Sequence, residues 1–226
     1  MSTQDSTANE LDFDPDALRE KYRFERDKRL RSDGNSQYQE MSGEFDHYTD
    51  DPYIDNAIKR EPLKDEVEIV IIGGGFGGLI SGSRFRELGY ESIRIIERGG
   101  DFGGTWYWNR YPGAACDTEA YIYLPLLEEV GYVPTQKYAH APEILAHSRN
   151  IAEKFDLYRD VCFQTEVTGL EWLDNEQKWL IRTNHDDEMK AAFVVMSNGP
   201  LNKAKLPGIE AVSYTHLRAH ETVLDL

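Results

Sequence analysis

The sequence predicts an α/β fold built around a parallel sheet, and three observations carry that reading. An apolar, β-branched run at residues 67–72 ends in a glycine cluster, Gly73-Gly74-Gly75-Phe76-Gly77-Gly78. A second apolar run at 92–96 follows after a stretch of helical length and ends on an acid, Glu97. A third, at 192–196, closes into Ser197-Asn198-Gly199-Pro200. Strand, helix and strand in this order make a βαβ unit, whose strands lie parallel.

The glycines fill the pattern G-x-G-x-x-G with Gly73, Gly75 and Gly78, directly after a predicted strand and opening a predicted helix. Each has a physical task. Gly73 permits the tight turn, Gly75 lets a pyrophosphate approach the backbone, and Gly78 lets the helix pack closely on the strand. Gly82, one turn later, extends that close face. The helix N-terminus offers unpaired N–H groups and the positive end of a dipole to phosphates. Glu97 stands 19 residues after Gly78, where an acid accepts from a ribose 2′-hydroxyl. A carboxylate there repels a 2′-phosphate, so this site favours FAD or NAD over NADP. The fold is thus read as Rossmann-like, three-layered, with a small antiparallel hairpin added to the parallel sheet.

The other elements follow from local signals. Residues 1–10 read as disordered. Asp14 and Pro15 mark a helix start as N-cap and N1; the helix is expected to run through Arg31 and stop near Gly34, with Glu25–Arg29 pairing on its solvated face. Residues 35–64, with Tyr38, Phe45, Tyr48 and Tyr53, are expected to form an arm that wraps the domain, because a disordered linker uses fewer aromatics. A helix opens at Pro142 and Glu143 and runs to about Phe155, with Ile144, Leu145, Ile151, Ala152 and Phe155 as its apolar stripe. A strand is expected at 161–167, and a hairpin pairs 171–173 with 178–183 around Asp174-Asn175-Glu176.

Composition excludes several classes. The net charge of −16 argues against a nucleic-acid surface and supplies no polybasic membrane anchor. No apolar run approaches the ~20 residues that span a bilayer, and the N-terminus lacks the apolar core of a signal peptide. Cys116 and Cys162 make neither a metal spacing nor a disulfide framework. No metal, nucleic-acid partner or membrane is expected, and a cytoplasmic protein is the simplest reading.

The segment Gly103-Gly104-Thr105-Trp106-Tyr107-Trp108-Asn109-Arg110-Tyr111-Pro112-Gly113 crowds aromatics between glycines. The flanking glycines and Pro112 make it a loop, and aromatic loops beside a cofactor site pack against planar rings. Continued through Ala114-Ala115-Cys116-Asp117, this stretch closely resembles the Baeyer–Villiger monooxygenases, the class B flavoprotein monooxygenases. The likeness extends from Val67 to about Ile209. It implies FAD in the first dinucleotide fold and NADPH in a second, inserted one. It also implies a reaction in which NADPH, O2 and a ketone give an ester or lactone; sulfides are a second substrate class. Carried over by motif, Gly73, Gly75, Phe76 and Gly78 hold the FAD pyrophosphate and Glu97 the adenosine ribose. Thr105, Trp106, Tyr107 and Trp108 line the flavin, Tyr123 gives a further FAD contact, and Val167 a backbone contact to adenine. Ala115 and Cys116 border the nicotinamide. Asp117 lies by the isoalloxazine as the catalytic residue of this segment, orienting an arginine of the NADP domain.

The resemblance also implies departures. Family members are considerably longer and carry the linker F-x-G-x-x-x-H-x-x-x-W where this chain, after Leu206-Pro207-Gly208-Ile209-Glu210, continues differently. Residues 1–64 are therefore read as an N-terminal extension and 65–210 as the N-terminal part of an FAD-binding domain. Residues 211–226 read as a non-native tail resembling translated adapter sequence, with the NADP-binding domain and the arginine outside the chain. Such an incomplete domain is expected to expose apolar surface, to hold FAD weakly and to lack NADPH-dependent oxygenation by itself. Two alternatives stay open: a small FAD-binding protein without monooxygenase activity, and an N-hydroxylating flavin monooxygenase.

Overall fold

The computed structural model describes residues 13–200 and 205–207; the readings for residues 1–10 and 211–226 lie outside these. The chain divides into two compact units, one formed by residues 1–42 with 205–226 and the other by 43–204.

In the first unit, helix α1 (Pro15–Asp27) begins as expected. Asp14 caps it, its Oδ1 accepting from the N–H groups of Asp16 and Ala17 at 2.9 and 3.3 Å, with Pro15 next in line. It ends at Asp27, not Arg31. The Arg29 guanidinium takes the carbonyl of Glu25 at 2.5 Å, the acceptor that a continued helix would offer to the Arg29 N–H, and that N–H turns to Arg26 instead. The expected ion pair is present, Arg29 to Glu25 at 3.4 Å. Strand β1 (Tyr38–Glu40) pairs antiparallel with Lys205–Pro207.

The second unit holds a six-stranded sheet. Its strands in chain order are β2 (Glu66–Ile72), β3 (Ile93–Ile96), β4 (Val161–Cys162), β5 (Val167–Leu173), β6 (Lys178–Thr183) and β7 (Glu188–Met196), and their order across the sheet is β4-β3-β2-β7-β6-β5. The first four across are parallel and the last two antiparallel. The C-terminal half of the central strand β2, Ile69–Ile72, is a continuous apolar run because both its faces are covered. Ile69 and Ile71 face one cluster with Leu79, Ile93, Ile95, Phe102, Ile151 and Leu157. Val70 and Ile72 face another with Ile96, Ile181, Met189 and Ala191, against which Leu63 also packs. The register Ile69↔Ile93 through Ile72↔Ile96 on one side, and Ile69↔Phe193 through Ile72↔Met196 on the other, brings the C-terminal ends of three strands to one edge. Phe193 and Met196 on β7 are exposed.

Helix α2 (Phe76–Glu87) follows the glycines, and short turns follow at α3 (Thr105–Trp108), α4 (Ala120–Tyr123) and α5 (Leu127–Val130). Helix α6 (Ala141–Lys154) buries Ile144, Leu145, Ile151 and Ala152 of the stripe read from the sequence, while Phe155, the fifth of that stripe, is its half-buried C-cap. Two expectations are corrected. The strand expected at 161–167 breaks after Cys162. There the backbone leaves the sheet edge to follow the end of β3: Gln164 and Thr165 donate to the carbonyls of Gly99 and Glu97, and Gln164 takes a positive φ of 52°. The aromatic segment expected as a loop forms a helical turn at Thr105–Trp108, because Gly103 and Gly104, with φ of 136° and 53°, swing the chain around so that their carbonyls accept from Trp106, Tyr107 and Trp108.

Within the second unit, residues 50–65 lie along the sheet and its loops. Tyr53 stacks edge-on against Tyr107, Ile58 N–H donates to Gln164, and Arg60 and Leu63 bind Asp187. Among the described residues, no helix is long and apolar enough to cross a membrane.

Candidate active site

A cavity of about 560 Å³ opens at the C-terminal edge of β2, β3 and β7, over the N-terminus of α2. This is where ligands of open α/β sheets collect, and the volume is that of an ordinary small-molecule site. Its floor is glycine. A Cβ on Gly73 would stand 2.4 Å from the Ser197 carbonyl oxygen, and one on Gly104 would stand 2.7 Å from the Gly75 Cα. Two backbone segments thus meet where no side chain fits. Gly75 is the N-cap of α2 and has no side chain to bond the first-turn N–H groups, so those donors face the cavity.

Glu97 lines the cavity beside them and is buried, 7 % exposed. Its Oε2 accepts from Gly74 N–H and its Oε1 from Gly99 N–H, both at 2.6 Å. Burial raises the pKa of this carboxyl, and the two N–H donors pull the other way without cancelling the rise. Each oxygen keeps a lone pair for a further donor. Glu97→Gln turns an amide NH2 toward one of the two N–H groups and leaves that donor unsatisfied. A loss of about 1–3 kcal/mol is expected in urea unfolding, and a variant as stable as wild type would refute the pairing.

The far wall is aromatic. Trp106 and Trp108 of α3 and Tyr123 of α4 line the cavity. Trp106 Nε1–H donates to the Tyr123 hydroxyl at 2.9 Å, which fixes both rings, and the Arg98 guanidinium lies 4.7 Å from the Trp108 ring. The remaining wall is the stretch from Thr165 to Leu170 with Ser197, Asn198 and Gly199.

Of the residues singled out from the sequence, Gly73, Gly75, Phe76, Glu97, Thr105, Trp106, Trp108, Tyr123 and Val167 come together around this cavity. Gly78 does not line it; it lies inside the strand–helix contact. Tyr107 turns away, its ring seated on Gly99 and Gly100. Cys116 is buried, with Sγ accepting from Thr118 N–H, while Ala115 and Asp117 are exposed; none of the three borders the cavity. Sequence reasoning missed Ser197, Asn198 and Gly199 as lining residues. They directly follow a recognised parallel strand, and the rule that ligands gather at strand C-termini points to them.

A family model described as an NAD(P)-binding Rossmann-like domain matches residues 71–130. The chain is 48% identical over 208 residues to a Baeyer–Villiger monooxygenase of Streptomyces coelicolor, a match covering 91% of this chain and 34% of that protein. The chain is similar to the N-terminal third of Baeyer–Villiger monooxygenases. Solved monooxygenase structures agree. The polycyclic ketone monooxygenase of the fungus Thermothelomyces thermophila superposes with a TM-score of 0.77 at 33% identity, over 86% of this chain and 34% of that one. The OTEMO complex with FAD and NADP gives 0.61 at 29% identity, over 68% and 29%. The chain thus spans about a third of the length of the curated Baeyer–Villiger relatives it matches.

Proposed function

We propose that this chain forms the FAD-binding part of a Baeyer–Villiger monooxygenase acting on ketones, with sulfides as a second acceptor class. The observation that carries the reading is one cavity with three chemically distinct walls: glycine N–H donors, a buried carboxylate and paired tryptophans. The residues fit the group. The first-turn N–H groups of α2 offer donors and a positive dipole end to a pyrophosphate, and the crowding at Gly73 and Gly104 leaves backbone alone at the surface it would approach. Glu97 holds lone pairs for a ribose hydroxyl and, as an anion, disfavours a 2′-phosphate. Trp106, Trp108 and Tyr123 present aromatic surface to a ring system, with Trp106 and Tyr123 set edge-on to each other, and the backbone of Val167, which also lines the cavity, is assigned to adenine. Ala115, Cys116 and Asp117 are assigned to the nicotinamide side, with the Asp117 carboxylate holding a cationic partner there. Bound FAD would supply the reductive activation of O2, at the expense of NADPH, that inserts oxygen beside a ketone carbonyl.

Titration of the purified chain into a fixed, low concentration of FAD tests the binding half: flavin fluorescence is expected to quench along a saturable one-site curve of weak affinity. Flavin fluorescence that stays unchanged with the chain in large excess over FAD would refute it. Supplying the complete gene product with NADPH, O2 and a cyclic ketone tests the reaction, whose product carries one added oxygen.

A further inference from the structure

We propose that Asp51, which does not line the cavity, is a positioning residue that sets two of the cavity's walls from outside; the cofactor half of this inference rests on the FAD reading above. Asp51 lies on the strap that precedes the sheet. Its Oδ2 accepts from two donors on different segments, the Tyr107 hydroxyl at 2.6 Å and the Gly100 N–H at 2.9 Å. The same N–H also reaches the Tyr107 hydroxyl at 3.0 Å, so the three groups close a triangle.

No corner of that triangle lines the cavity, but Tyr107 and Gly100 each belong to a segment whose neighbouring residues do. Tyr107 is the middle of α3, whose neighbours Trp106 and Trp108 face the cavity. Gly100 ends the turn that begins at Glu97 and runs through Gly99, the donor to Glu97 Oε1. One carboxylate oxygen therefore ties the tryptophan-bearing turn to the turn that aims the buried acid. The fit around it is close. A Cβ on Gly99 would meet the Tyr107 ring at 2.9 Å, and one on Gly100 would meet Ile54 of the strap at 2.3 Å and the Tyr107 hydroxyl at 2.8 Å.

The strap adds a second hold on α3. Tyr53 donates its hydroxyl to the Trp108 carbonyl at 3.3 Å and sets its ring edge-on to Tyr107, centroids 5.6 Å apart. Arg110 then lies over both rings, 3.7 Å from Tyr53 and 4.5 Å from Tyr107, while its Nε–H donates to the Tyr107 carbonyl. A four-residue helical turn has too few internal hydrogen bonds to hold its own geometry. The strap supplies that constraint, and a displacement of about 1 Å in a positioning element is enough to weaken a bound geometry strongly.

The test compares Asp51→Ala and Asp51→Asn with Asp65→Asn, which breaks an ion pair to Arg94 and serves as a stability control. Amide hydrogen exchange of the free chain and FAD titration are both measured. Asp51→Ala is expected to accelerate exchange at residues 99–108 tenfold or more and to weaken FAD binding at least tenfold. Asp51→Asn, which keeps an acceptor oxygen, should restore most of both, and Asp65→Asn should change neither. Unchanged exchange at 99–108 in Asp51→Ala overturns the clamp. Faster exchange with unchanged FAD affinity overturns its link to the cofactor. Failure of the wild-type chain to bind FAD, with exchange still accelerated, would instead overturn the FAD reading and the cofactor half of this inference with it.

Discussion

Gly78→Ala is expected to destabilise the sheet-bearing unit by about 3 kcal/mol or more, the range of a severe core clash, and to abolish FAD binding with it. A methyl at this position would stand 1.9 Å from the Gly73 carbonyl oxygen and 3.0 Å from its carbon. Both are backbone atoms of the turn that leaves β2, so no side chain can swing away. The helix must lift off the strand. Lifting it uncovers Leu79 and Ile71, both fully buried, and moves the first-turn N–H groups away from the cavity floor. Helix propensity works the other way, since alanine is better than glycine in a helix by about 1 kcal/mol; the steric term is expected to win. Gly89→Ala is the control. Gly89 has a φ of 85° but open space around its Cβ position, so it carries only the strain of a left-handed residue, about 1–2 kcal/mol. Urea unfolding of both variants reads the difference, and a Gly78→Ala chain within 1 kcal/mol of wild type would show that the strand–helix contact is looser than these distances require.

The same position explains what a sequence can and cannot display. Gly78 was legible because its constraint is local: strand, turn and helix lie within a few residues, and the glycine spacing records their geometry. Glu97 was legible for a related reason, since the βαβ unit has a fixed length. Residues 67–72 and 92–96 are readable as strands because β-branched residues dominate both, and Ile69–Ile72 is the uninterrupted apolar run of a strand buried on both faces. Asp51 was not legible. Its partners, Gly100 and Tyr107, are about fifty residues away in sequence, and an aspartate in an acidic segment carries no mark that separates a clamp from a solvated charge. The break after Cys162 was hidden for the same kind of reason, because the carbonyls that draw Gln164 and Thr165 off the sheet edge belong to Glu97 and Gly99. The helical turn at Thr105–Trp108 carries no helix signal of its own, because glycine and proline punctuate its two ends and four residues are too few for a helical period.

Asp187 is the site where a long-range contact has the largest expected effect on stability. Its side chain is fully buried, and four donors surround it. Arg60 gives two parallel N–H groups at 2.6 Å, Leu63 its backbone N–H at 2.7 Å and Thr183 its hydroxyl at 2.6 Å. The carboxylate thus joins the strap before β2 to the turn between β6 and β7. Asp187→Ala would leave Arg60, itself mostly buried, without its counter-ion, and a loss of about 3–5 kcal/mol is expected. The pH dependence has a definite sign. Burial alone would raise the Asp187 pKa, but the hydrogen bonds from Arg60, Thr183 and Leu63 outweigh it and hold the value at about 2. The folded state therefore binds this proton less readily than the unfolded chain, whose aspartate titrates near ~3.9. The stabilisation is fully present above that value and is lost as pH falls from there toward 2, a change of about 2 kcal/mol. Unfolding free energies of wild type and Asp187→Asn, measured from pH 7 down to pH 2.5, are expected to converge below pH 4, because the asparagine variant has no charge to lose there. Curves that stay parallel through that range would mean that Asp187 is not the group whose protonation loosens the strap.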